Sequence, residues 1–400
     1  MSSFGESHGP YIGAVLDGFP AGFTLDLTAI QGQMQRRRPG QSALTTSRDE
    51  ADSVQIISGV FEGKTLGTPI AFLIPNTDQK PKDYDVLKDV YRPGHADALW
   101  DLKMGHRDYR GGGRSSARIT AGWVAAGALA EQYLEQYALG PIKVCAWVQQ
   151  IHTITAQDSN PASRTEVDQS PVRCPDTQAS PEMEKAVLEA KQNGDSLGGI
   201  IRCRISGVPA GTGAPVFRKL QAQISQYMLN LNAVKGIYFG EDNRSHERFG
   251  SENNDSWTST DGKLGTASNR SGGIVGGMAT GEDILFELYF KPTSTIKKEQ
   301  KTINRDGNPV IISAQATENA ESKGSEIANG NPELISAQAT ENAESKGSET
   351  KRGLEEPRLI MAEGRHDPCV LPRAVPIVES LAALALMDLL LESQSQLPHS

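Results

Sequence analysis

The feature that most constrains the fold is a helical segment near the C-terminus that is apolar around most of its circumference. Residues 376–392 begin at a proline and contain an 11-residue apolar run, 381–391, in which Asp388 is the single charged residue. A helix without a polar face is expected to be buried, either in a core or at a subunit contact. A membrane span needs about 20 apolar residues, so this run predicts none. The N-terminal residues also lack the basic and apolar regions of a secretory signal.

The rest of the chain alternates between helical and strand-like segments, which predicts an α+β fold. Ser115 and Ser116 precede an alanine-rich stretch, 117–137, that ends before Gly140, a pattern typical of a capped helix with a glycine stop. No linker divides the chain, so we expect one large domain over residues 1–400. Further predicted helices are 181–194 and 215–234, and the predicted strands are 11–17, 54–60, 70–74, 142–151, 199–205 and 284–290.

Composition places the chain among ordinary globular proteins. Its 400 residues are 37% hydrophobic and 22% charged, enough for a sizeable core without disulfide or metal staples. The cysteines form no C-x-x-C pair, so we expect no metal site, no disulfide framework and a reducing compartment such as the cytoplasm. These cysteines are Cys145, Cys174, Cys203 and Cys369.

Residues 306–356 differ from the rest of the chain in composition. The sequence ISAQATENAESKGSE occurs at 312–326 and again at 335–349, and the segment carries ten acidic and four basic residues. A stretch this polar cannot bury enough apolar surface to offset the entropy lost on ordering. We therefore expect 306–356 to be a solvent-exposed, disordered low-complexity insertion with a duplicated 15-residue segment and no role in function.

Several loop-like segments combine glycine or proline with titratable or cationic side chains. FGESHGP at 4–10 and YRPGHAD at 91–97 each set a histidine in a tight turn, where an imidazole can exchange a proton. RRRPGQS at 36–42 ends a helical stretch with three arginines that cannot share one face. Taken singly, each segment has a plain structural interpretation as a solvated turn or a cationic helix end.

The segment RDYRGGGRSSAR at 107–118 is the strongest physical signal for a ligand. It is a glycine-rich loop that runs into a helix start, where free backbone N–H groups attract anions, and it carries four arginines. It lacks the G-x-x-x-x-G-K-[ST] pattern, so a nucleoside-triphosphate P-loop is not indicated. The segment predicts an anion site.

Three further segments add to this prediction. The glycine-dense stretch 269–281 suits close approach of the backbone to a ligand, KPTST at 291–295 follows a predicted strand, and GRHDPC at 364–369 is a polar turn. Together with the arginine clusters they describe a pocket for a polyanion, with histidines and an aspartate available for proton transfer.

In order along the chain, these strings strongly resemble the chorismate synthase family. The resemblance covers nearly the whole chain outside 306–356 and rests on FGESHG, RRRPGQS, SGVFEGKTLGTPIAF, RPGHAD, RDYRGGGRSSAR, SGGIVGGMATG, KPTST and GRHDPCVLPRAVPIVE. It implies a β-α-β sandwich and an enzyme that forms chorismate from 5-enolpyruvylshikimate-3-phosphate by 1,4-elimination of phosphate. It also implies a need for reduced FMN without net redox change, and a homotetramer.

The resemblance assigns roles to individual residues. It implies that His8 assists the departing phosphate, that His95 protonates the reduced flavin near N1, and that Asp367 works with flavin N5, which takes the substrate C6 proton. Ser7 and Ser116 would support that relay. The implied substrate-binding arginines are Arg38, Arg48, Arg114, Arg118 and Arg365. The implied FMN-binding residues are Ser115, Ser116, Arg118, Ser271, Gly272, Gly273, Gly276, Gly277, Lys291 and Thr295.

Two features depart from the family pattern. Members have a further strand before FGESHG, whereas here the motif starts at Phe4, so we expect either a truncated start or a shortened sheet edge, with less local order around His8. The repeated segment 306–356 is longer than the usual connection between KPTST and GRHDP. This longer connection either alters the pocket mouth or has no effect.

Two other classes of function are consistent with parts of the sequence. The arginines at 36–38 and 107–118 also suit a nucleic-acid or polyanion binding module, but the chain has a net charge of −9, whereas such modules are usually basic. A flavin oxidoreductase is the third class. No G-x-G-x-x-G turn follows a strand, so we expect reduced FMN to come from an external flavin reductase or reductant. We expect neither nucleic acid nor membrane as a partner.

Overall fold

The computed structural model describes residues 1–41, 44, 50–78, 81–157, 160–260, 262–313, 357–361 and 367–396. The helices in these residues are α1 (Leu27–Arg37), α2 (Asp97–Met104), α3 (Thr120–Glu135), α4 (Arg164–Asp168), α5 (Ala179–Gln192), α6 (Leu220–Met228), α7 (Gly250–Asn253) and α8 (Leu371–Gln396). Short 3₁₀ turns occur at Pro81–Leu87, Gly113–Ser115, Ala117–Ile119 and Ser245–Glu247.

The strands are short and mostly antiparallel. They are β1 (Ser2–Phe4), β2 (Tyr11–Leu16), β3 (Gln55–Ser58), β4 (Val60–Phe61), β5 (Lys64–Thr65), β6 (Ile70–Pro75), β7 (Lys143–Ile151), β8 (Ile154–Thr155), β9 (Gly199–Ser206), β10 (Val234–Phe239), β11 (Trp257–Thr260), β12 (Lys263–Thr266), β13 (Ile274–Val275), β14 (Met278–Ala279), β15 (Ile284–Phe290), β16 (Gln300–Ile303), β17 (Pro309–Ser313) and β18 (Arg358–Met361).

Two antiparallel sheets form the outer layers of the core. The first has the strand order β1-β2-β6-β3 and the second the order β10-β15-β9-β7-β8. In β6, Ile70, Phe72 and Ile74 are fully buried and alternate with partly exposed residues, so one face of the first sheet covers the core. The strand before the histidine turn is present as the three-residue β1, which pairs with β2.

Helices fill the space between the two sheets. α3 packs on β2 and β6 of the first sheet, α8 packs on β7 and β9 of the second, and α3 and α8 pack on each other. A Cβ on Gly127 would lie 2.3 Å from the Ser380 Cβ, so the two helices approach as closely as glycine permits. The predicted β-α-β sandwich and the predicted burial of the C-terminal helix are confirmed.

The apolar character of α8 follows from this central position. Leu371–Ser393 is long and apolar enough to cross a membrane by length and composition, but 89% of its most apolar window is buried inside the protein. Glu379 lies in the middle of α8 and is fully buried. Its carboxylate accepts hydrogen bonds from Ala146 N at 3.0 Å and from Arg36, and it pairs with Arg164 Nε at 3.1 Å. A buried charge is tolerated only with such partners.

The structure corrects two predicted boundaries. The predicted helix 215–234 is shorter, because α6 covers only Leu220–Met228 and the chain enters β10 at Val234. The insertion predicted at 306–356 begins too early, because Pro309–Ser313 forms β17, which pairs with β16 and β18. Val310 and Ile312 of β17 are buried against the apolar side chains of Tyr84, Leu87 and Val90, which explains why this part is ordered. Residues 314–356, with nearly all of the repeated segment, lie outside the described residues.

Candidate active site

The turn between β1 and β2 brings His8 into the interior. Gly5 has φ +86°, and a Cβ there would lie 2.2 Å from Tyr11 O, so only glycine fits. The Ser7 hydroxyl donates to Arg110 O at 3.2 Å and lies 3.0 Å from His8 Nδ1. The Ser7 hydroxyl therefore holds the His8 ring through Nδ1, and Nε2 is the other ring nitrogen. The buried His8 ring meets Tyr84 edge to face at 4.9 Å.

The glycine-rich loop touches both motif histidines. Gly111, Gly112 and Gly113 have φ of +60°, +88° and +53°, a run of left-handed residues. A Cβ on Gly111 would lie 2.1 Å from His8 Cε1, and one on Gly112 would lie 2.7 Å from His95 Cε1. The glycines therefore let the loop bend and also leave room for two imidazoles.

The arginines of this loop are engaged with protein groups. Arg107 donates to the carbonyls of Leu87, Lys88 and Val90 and to Asp97, Arg110 pairs with Asp108, and Arg114 donates to Gly5 O and to Ser3. Arg114 thus holds the N-terminal strand instead of facing the cavity. The arginines of the loop predicted as an anion site therefore mainly stabilise the turns that carry the two histidines.

A buried ion cluster lies behind Arg118. Asp52 pairs with Arg118 and with Arg37, the latter at 3.0 Å between Nη1 and Oδ2, and all three side chains are nearly inaccessible. Burial alone would raise the pKa of Asp52, but the charges of Arg37 and Arg118 hold it below its usual value. Asn76 Oδ1 accepts from Arg118 Nε at 2.8 Å. Two guanidinium groups are therefore fixed in place before any ligand binds.

His95 stands in a second ion cluster. Its Nδ1 lies 2.9 Å from Asp97 Oδ1, and Asp97 also binds Arg92 and Arg107. Burial lowers the pKa of His95, while the hydrogen bond to Asp97 acts in the opposite direction. Burial alone would raise the pKa of Asp97, but its hydrogen bonds to Arg92 and His95 hold it well below its usual value.

Asp367 reaches the same region from the start of α8. Its Oδ2 lies 2.5 Å from Arg373 Nη1, and its backbone carbonyl accepts from Thr293 Oγ1 at 3.1 Å. Lys291 Nζ lies 3.4 Å from Gly94 O, next to His95. Burial, followed by the charge of Lys235, lowers the pKa of Lys291.

These groups line one cavity of about 400 Å³, a size typical of cofactor and substrate sites. His8, His95 and Asp367, which come from three distant parts of the chain, are all in its wall. The polar wall also includes Arg37, Arg92, Ser115, Ser116, Arg118, Asn232, Lys291, Thr293, Ser294, Thr295 and Arg373, and the apolar wall includes Leu231, Phe290, Val370 and Ile377.

Comparison with known proteins decides the family. A sequence model described as chorismate synthase matches residues 1–320 and 333–391. The chain belongs to the chorismate synthase family. The chorismate synthase of Christiangramia forsetii is 44% identical over 396 residues, which is 99% of this chain and 96% of that protein. The chorismate synthase of Parabacteroides distasonis is 44% identical over 392 residues, 98% and 95% of the two chains.

A solved structure agrees with this assignment. A crystal structure of chorismate synthase superposes with a TM-score of 0.68 at 25% identity, covering 98% of this chain and 91% of the other. The predicted function is confirmed as that of the family. The enzyme is a carbon–oxygen lyase that converts 5-enolpyruvylshikimate-3-phosphate to chorismate by 1,4-elimination of phosphate, and it requires reduced FMN. The binding-module and oxidoreductase alternatives are set aside.

The residues of the cavity fit a flavin. Asn232 Nδ2 donates to Ser115 O at 2.8 Å, whereas its buried Oδ1 has no hydrogen-bond partner within the described part of the chain. An unpaired buried acceptor costs about 1–3 kcal/mol, and a ring N–H such as that of the flavin would satisfy it. Lys291 and Thr295 offer a cation and a hydroxyl for a phosphate, and the apolar wall suits a flat ring.

The sequence-predicted residues of this chorismate synthase fall into three groups. Those in the cavity wall are His8, His95, Asp367, Ser115, Ser116, Arg118, Lys291 and Thr295. Those placed elsewhere are Ser7, which lies behind His8, and Arg38, Arg114, Ser271, Gly272, Gly273, Gly276 and Gly277. Arg48 and Arg365 lie outside the described residues, so their predicted roles rest on the resemblance alone.

The glycine-dense segment forms the hairpin β13–β14 and packs against protein. A Cβ on Gly272 would lie 2.6 Å from Gly240 N, and one on Gly273 would lie 2.5 Å from Asp283 O. On the other side of the hairpin, a Cβ on Gly277 would lie 2.6 Å from the Lys219 Cγ. Within one chain these glycines serve close approach to neighbouring loops, and their contact with FMN stays a prediction.

Several cavity residues are not among those predicted from the sequence. Arg92 and Arg373 lie inside the quoted motifs RPGHAD and GRHDPCVLPRAVPIVE, which could have pointed to them. Arg37 is the middle arginine of RRRPGQS, the one that the helix turns inward. Asn232 and Ala233 have no such signal, because they lie between α6 and β10, inside a segment predicted to be helical.

Proposed function

We propose that the cavity between α8 and the glycine-rich loop is the active site of this chorismate synthase, with His8, His95 and Asp367 acting in it. One observation carries the proposal: these three groups come from motifs more than eighty residues apart, and all line a single cavity. Surface turns with independent structural roles would have no reason to converge in this way.

The cationic wall suits the substrate, which carries one phosphate and two carboxylates. Arg37, Arg92, Arg118, Lys291 and Arg373 line the cavity, against Asp367 as the one described carboxylate in its wall. Guanidinium groups bind such anions through two parallel N–H···O bonds. Because Asp52 holds Arg37 and Arg118 rigidly, their charge stabilises the departing phosphate without reorganisation.

His8 is proposed to donate a proton to the departing phosphate. With Nδ1 bonded to Ser7, Nε2 is the nitrogen that carries the transferable proton when the ring is charged. Ser7 thus acts by orienting His8 from behind. Ser116 caps the turn ahead of α3 by accepting from Arg118 N at 3.3 Å, which keeps Arg118 in place.

Asp367 is proposed to assist removal of the C6 proton. Arg373 holds its carboxylate at 2.5 Å, so the group is fixed in position. Reduced FMN, when bound, supplies electron density to the conjugated end of the substrate. Lys291, Thr295 and Asn232 are the residues proposed to hold it, and His95, when its ring is charged, is proposed to give up a proton near its N1.

An anaerobic phosphate-release assay with FMN and dithionite tests this proposal. Asp367→Asn should lower turnover by about 10²-fold or more, the usual contribution of a proton-transfer group, with little change in FMN affinity. Asp195→Asn is the matched control, because Asp195 is not a cavity-lining residue and pairs with Lys298 at 2.7 Å on the surface. Equal turnover of the two variants would exclude the role given to Asp367.

The remaining parts of the proposal concern assembly and supply. We propose a homotetramer of single-domain chains in the cytoplasm, with reduced FMN provided by an external reductase or reductant, and no functional role for residues 314–356. Exposed apolar side chains support self-association: Phe217 is 92% exposed, Leu102 82% and Phe249 77%. Light scattering should report the mass of four chains; the mass of one chain would contradict it.

A further inference from the structure

The carboxylate of Asp97 has an unusual number of partners for a group beside a reactive histidine. Its Oδ2 accepts from Arg92 N at 3.1 Å and from Arg92 Nε at 2.8 Å. Its Oδ1 accepts from Arg92 Nη2 at 2.9 Å and from Arg107 Nη1 at 3.1 Å, and lies 2.9 Å from His95 Nδ1. Asp97 is 2% exposed, so solvent does not weaken these bonds.

This arrangement determines which nitrogen of His95 holds the proton in the neutral ring. Nδ1 faces Asp97 Oδ1 at 2.9 Å and Arg92 Nη2 at 3.2 Å. A lone pair on Nδ1 would face a lone pair of the ionised carboxylate, whereas an N–H there makes a charge-assisted hydrogen bond. Arg92 Nη2 has two hydrogens, one of which goes to Asp97 Oδ1, but its 3.2 Å separation from Nδ1 is longer than the 2.9 Å between Nδ1 and the carboxylate, so the contact with Asp97 is the stronger one. Nδ1 therefore carries the proton.

Nε2 is then the nitrogen that exchanges a proton with the cavity. A Cβ on Gly112 would lie 2.8 Å from Nε2, so the glycine leaves space beside this atom. The opposite side of the ring is closed by the contact with Asp97. His95 lines the cavity, its Nδ1 is held by Asp97, and Nε2 is the ring nitrogen for which no hydrogen-bond partner is described.

The two arginines that bind Asp97 keep its carboxylate charged next to the His95 ring. Arg92, Arg107 and Asp97 face the ring, and Lys291 lies beyond the carbonyl of Gly94. The arginines hold Asp97 ionised, so it does not take the proton from His95. Asp97 in turn opposes the effect of burial and of both arginines, which lower the pKa of His95.

We propose that Asp97 is a positioning residue of this chorismate synthase: it fixes His95 in the Nδ1–H form and directs Nε2 into the cavity as the proton-transferring atom. The inference rests on the proposed function only in giving His95 a role in turnover. Arg92 and Arg107 serve it by holding the carboxylate in its charged form and in one orientation.

Nitrogen NMR of the full-length chain labelled with ¹⁵N-histidine tests the tautomer directly and without FMN. The chain has seven histidines, so the His95 signals are assigned by their loss in His95→Gln. In the wild type we expect a protonated Nδ1 and an unprotonated Nε2. In Asp97→Asn we expect a mixture of forms, because an amide can also donate to Nδ1.

Asp101→Asn is the matched control. Asp101 contacts Arg107 at 3.2 Å and Arg305 at 2.7 Å but makes no described contact with His95, so its loss perturbs the same network without touching the ring. The His95 spectrum should be unchanged in this variant. A wild-type ring protonated on Nε2 would overturn the proposal, and this result needs no variant to fold. So would an unaltered Nδ1–H form in Asp97→Asn.

Turnover provides the second readout. Asp97→Asn should lower kcat by about 100-fold, within the range for general acid–base catalysis, with a smaller change in KM. The limb of the pH profile that His95 sets should move to lower pH, because the group that raises its pKa is gone. Turnover within threefold of the wild type would contradict the positioning role. If His95→Gln itself keeps full turnover while the tautomer is as stated, the proposed function fails and the assignment of Nδ1 stands.

Discussion

Replacement of Gly111 by alanine separates two reasons for a glycine at this position. Gly111 has φ +60°, which disfavours any side chain, and its missing Cβ leaves room for the His8 ring. Gly105, which ends α2, has φ +71°, and a Cβ added there would meet no atom within 4 Å, so Gly105→Ala carries the backbone cost alone. The two variants form a matched pair that differs in one contact.

The structure gives the size of each effect. A left-handed alanine costs about 1–2 kcal/mol in either variant. In Gly111→Ala the new methyl would also lie 2.1 Å from His8 Cε1 and 2.3 Å from Nδ1, so the ring must move by more than about 1 Å. That movement breaks the Ser7–His8 bond and disturbs the edge contact with Tyr84. We expect about 2–4 kcal/mol of destabilisation in total.

Turnover should separate the pair more clearly than stability. A displacement of about 1 Å at a catalytic group lowers the rate by about 100-fold, so Gly111→Ala should lose turnover to this extent and Gly105→Ala should retain most of it. Thermal unfolding and anaerobic phosphate release with reduced FMN measure the two quantities on the same preparations. If Gly111→Ala were as active as Gly105→Ala, His8 would not be held by this loop in the way described.

Three further predictions concern the scaffold. Gly127→Ala should destabilise the protein by about 1–3 kcal/mol, because the new Cβ would lie 2.3 Å from Ser380. Gly32→Ala, on the exposed face of α1, should stabilise it by about 0.5–1 kcal/mol. Urea unfolding measures both changes in the free energy of unfolding, and a change of the same sign in both variants would contradict this reasoning. Removal of one copy of the repeat, residues 335–349, should leave activity intact, because the parallel strands β17 and β18 need a connection of only about a dozen residues. A deletion that leaves a connection well below that length should abolish activity, because the two strands could no longer pair. Asp52 and Asp97 have pKa values below the usual value of about 3.9, so they stabilise the fold above that pH and the stabilisation falls as acid is added. Urea unfolding from pH 5 to 3 should show this decline in the free energy of unfolding. In Asp97→Asn the free energy should change less steeply with pH, by about 1.4 kcal/mol per pH unit at most.

The layers of the fold could be predicted from local patterns. A helix that is apolar on every side has to be surrounded, and α8 is enclosed by α3, α6 and the second sheet. The prediction failed where a contact at long range decides the structure. Residues 229–234 have helical composition but leave α6 for β10, which pairs with β15 some fifty residues away in sequence.

The arginines show the same limit at the site. A guanidinium in a glycine-rich loop predicts an anion, but the sequence cannot indicate whether that anion is a ligand or a protein group. Asp52 lies 66 residues from Arg118 in the chain and still pairs with it, as it does with Arg37. Arg107 binds carbonyls about twenty residues upstream. Such pairings follow from the tertiary fold and not from spacing.

Apart from Lys291, whose described hydrogen bonds go to backbone carbonyls, each charged group in the cavity wall pairs with an opposite charge. Arg37 and Arg118 have Asp52, His95 has Asp97, and Asp367 has Arg373. Without these partners the side chains would need the ligand to hold them, and the cost of ordering them would reduce the affinity and the rate. With them, the ligand meets a surface that is already ordered and still has a cationic excess. This arrangement is what an elimination that releases phosphate requires, because the charge to be stabilised moves while the protein groups do not.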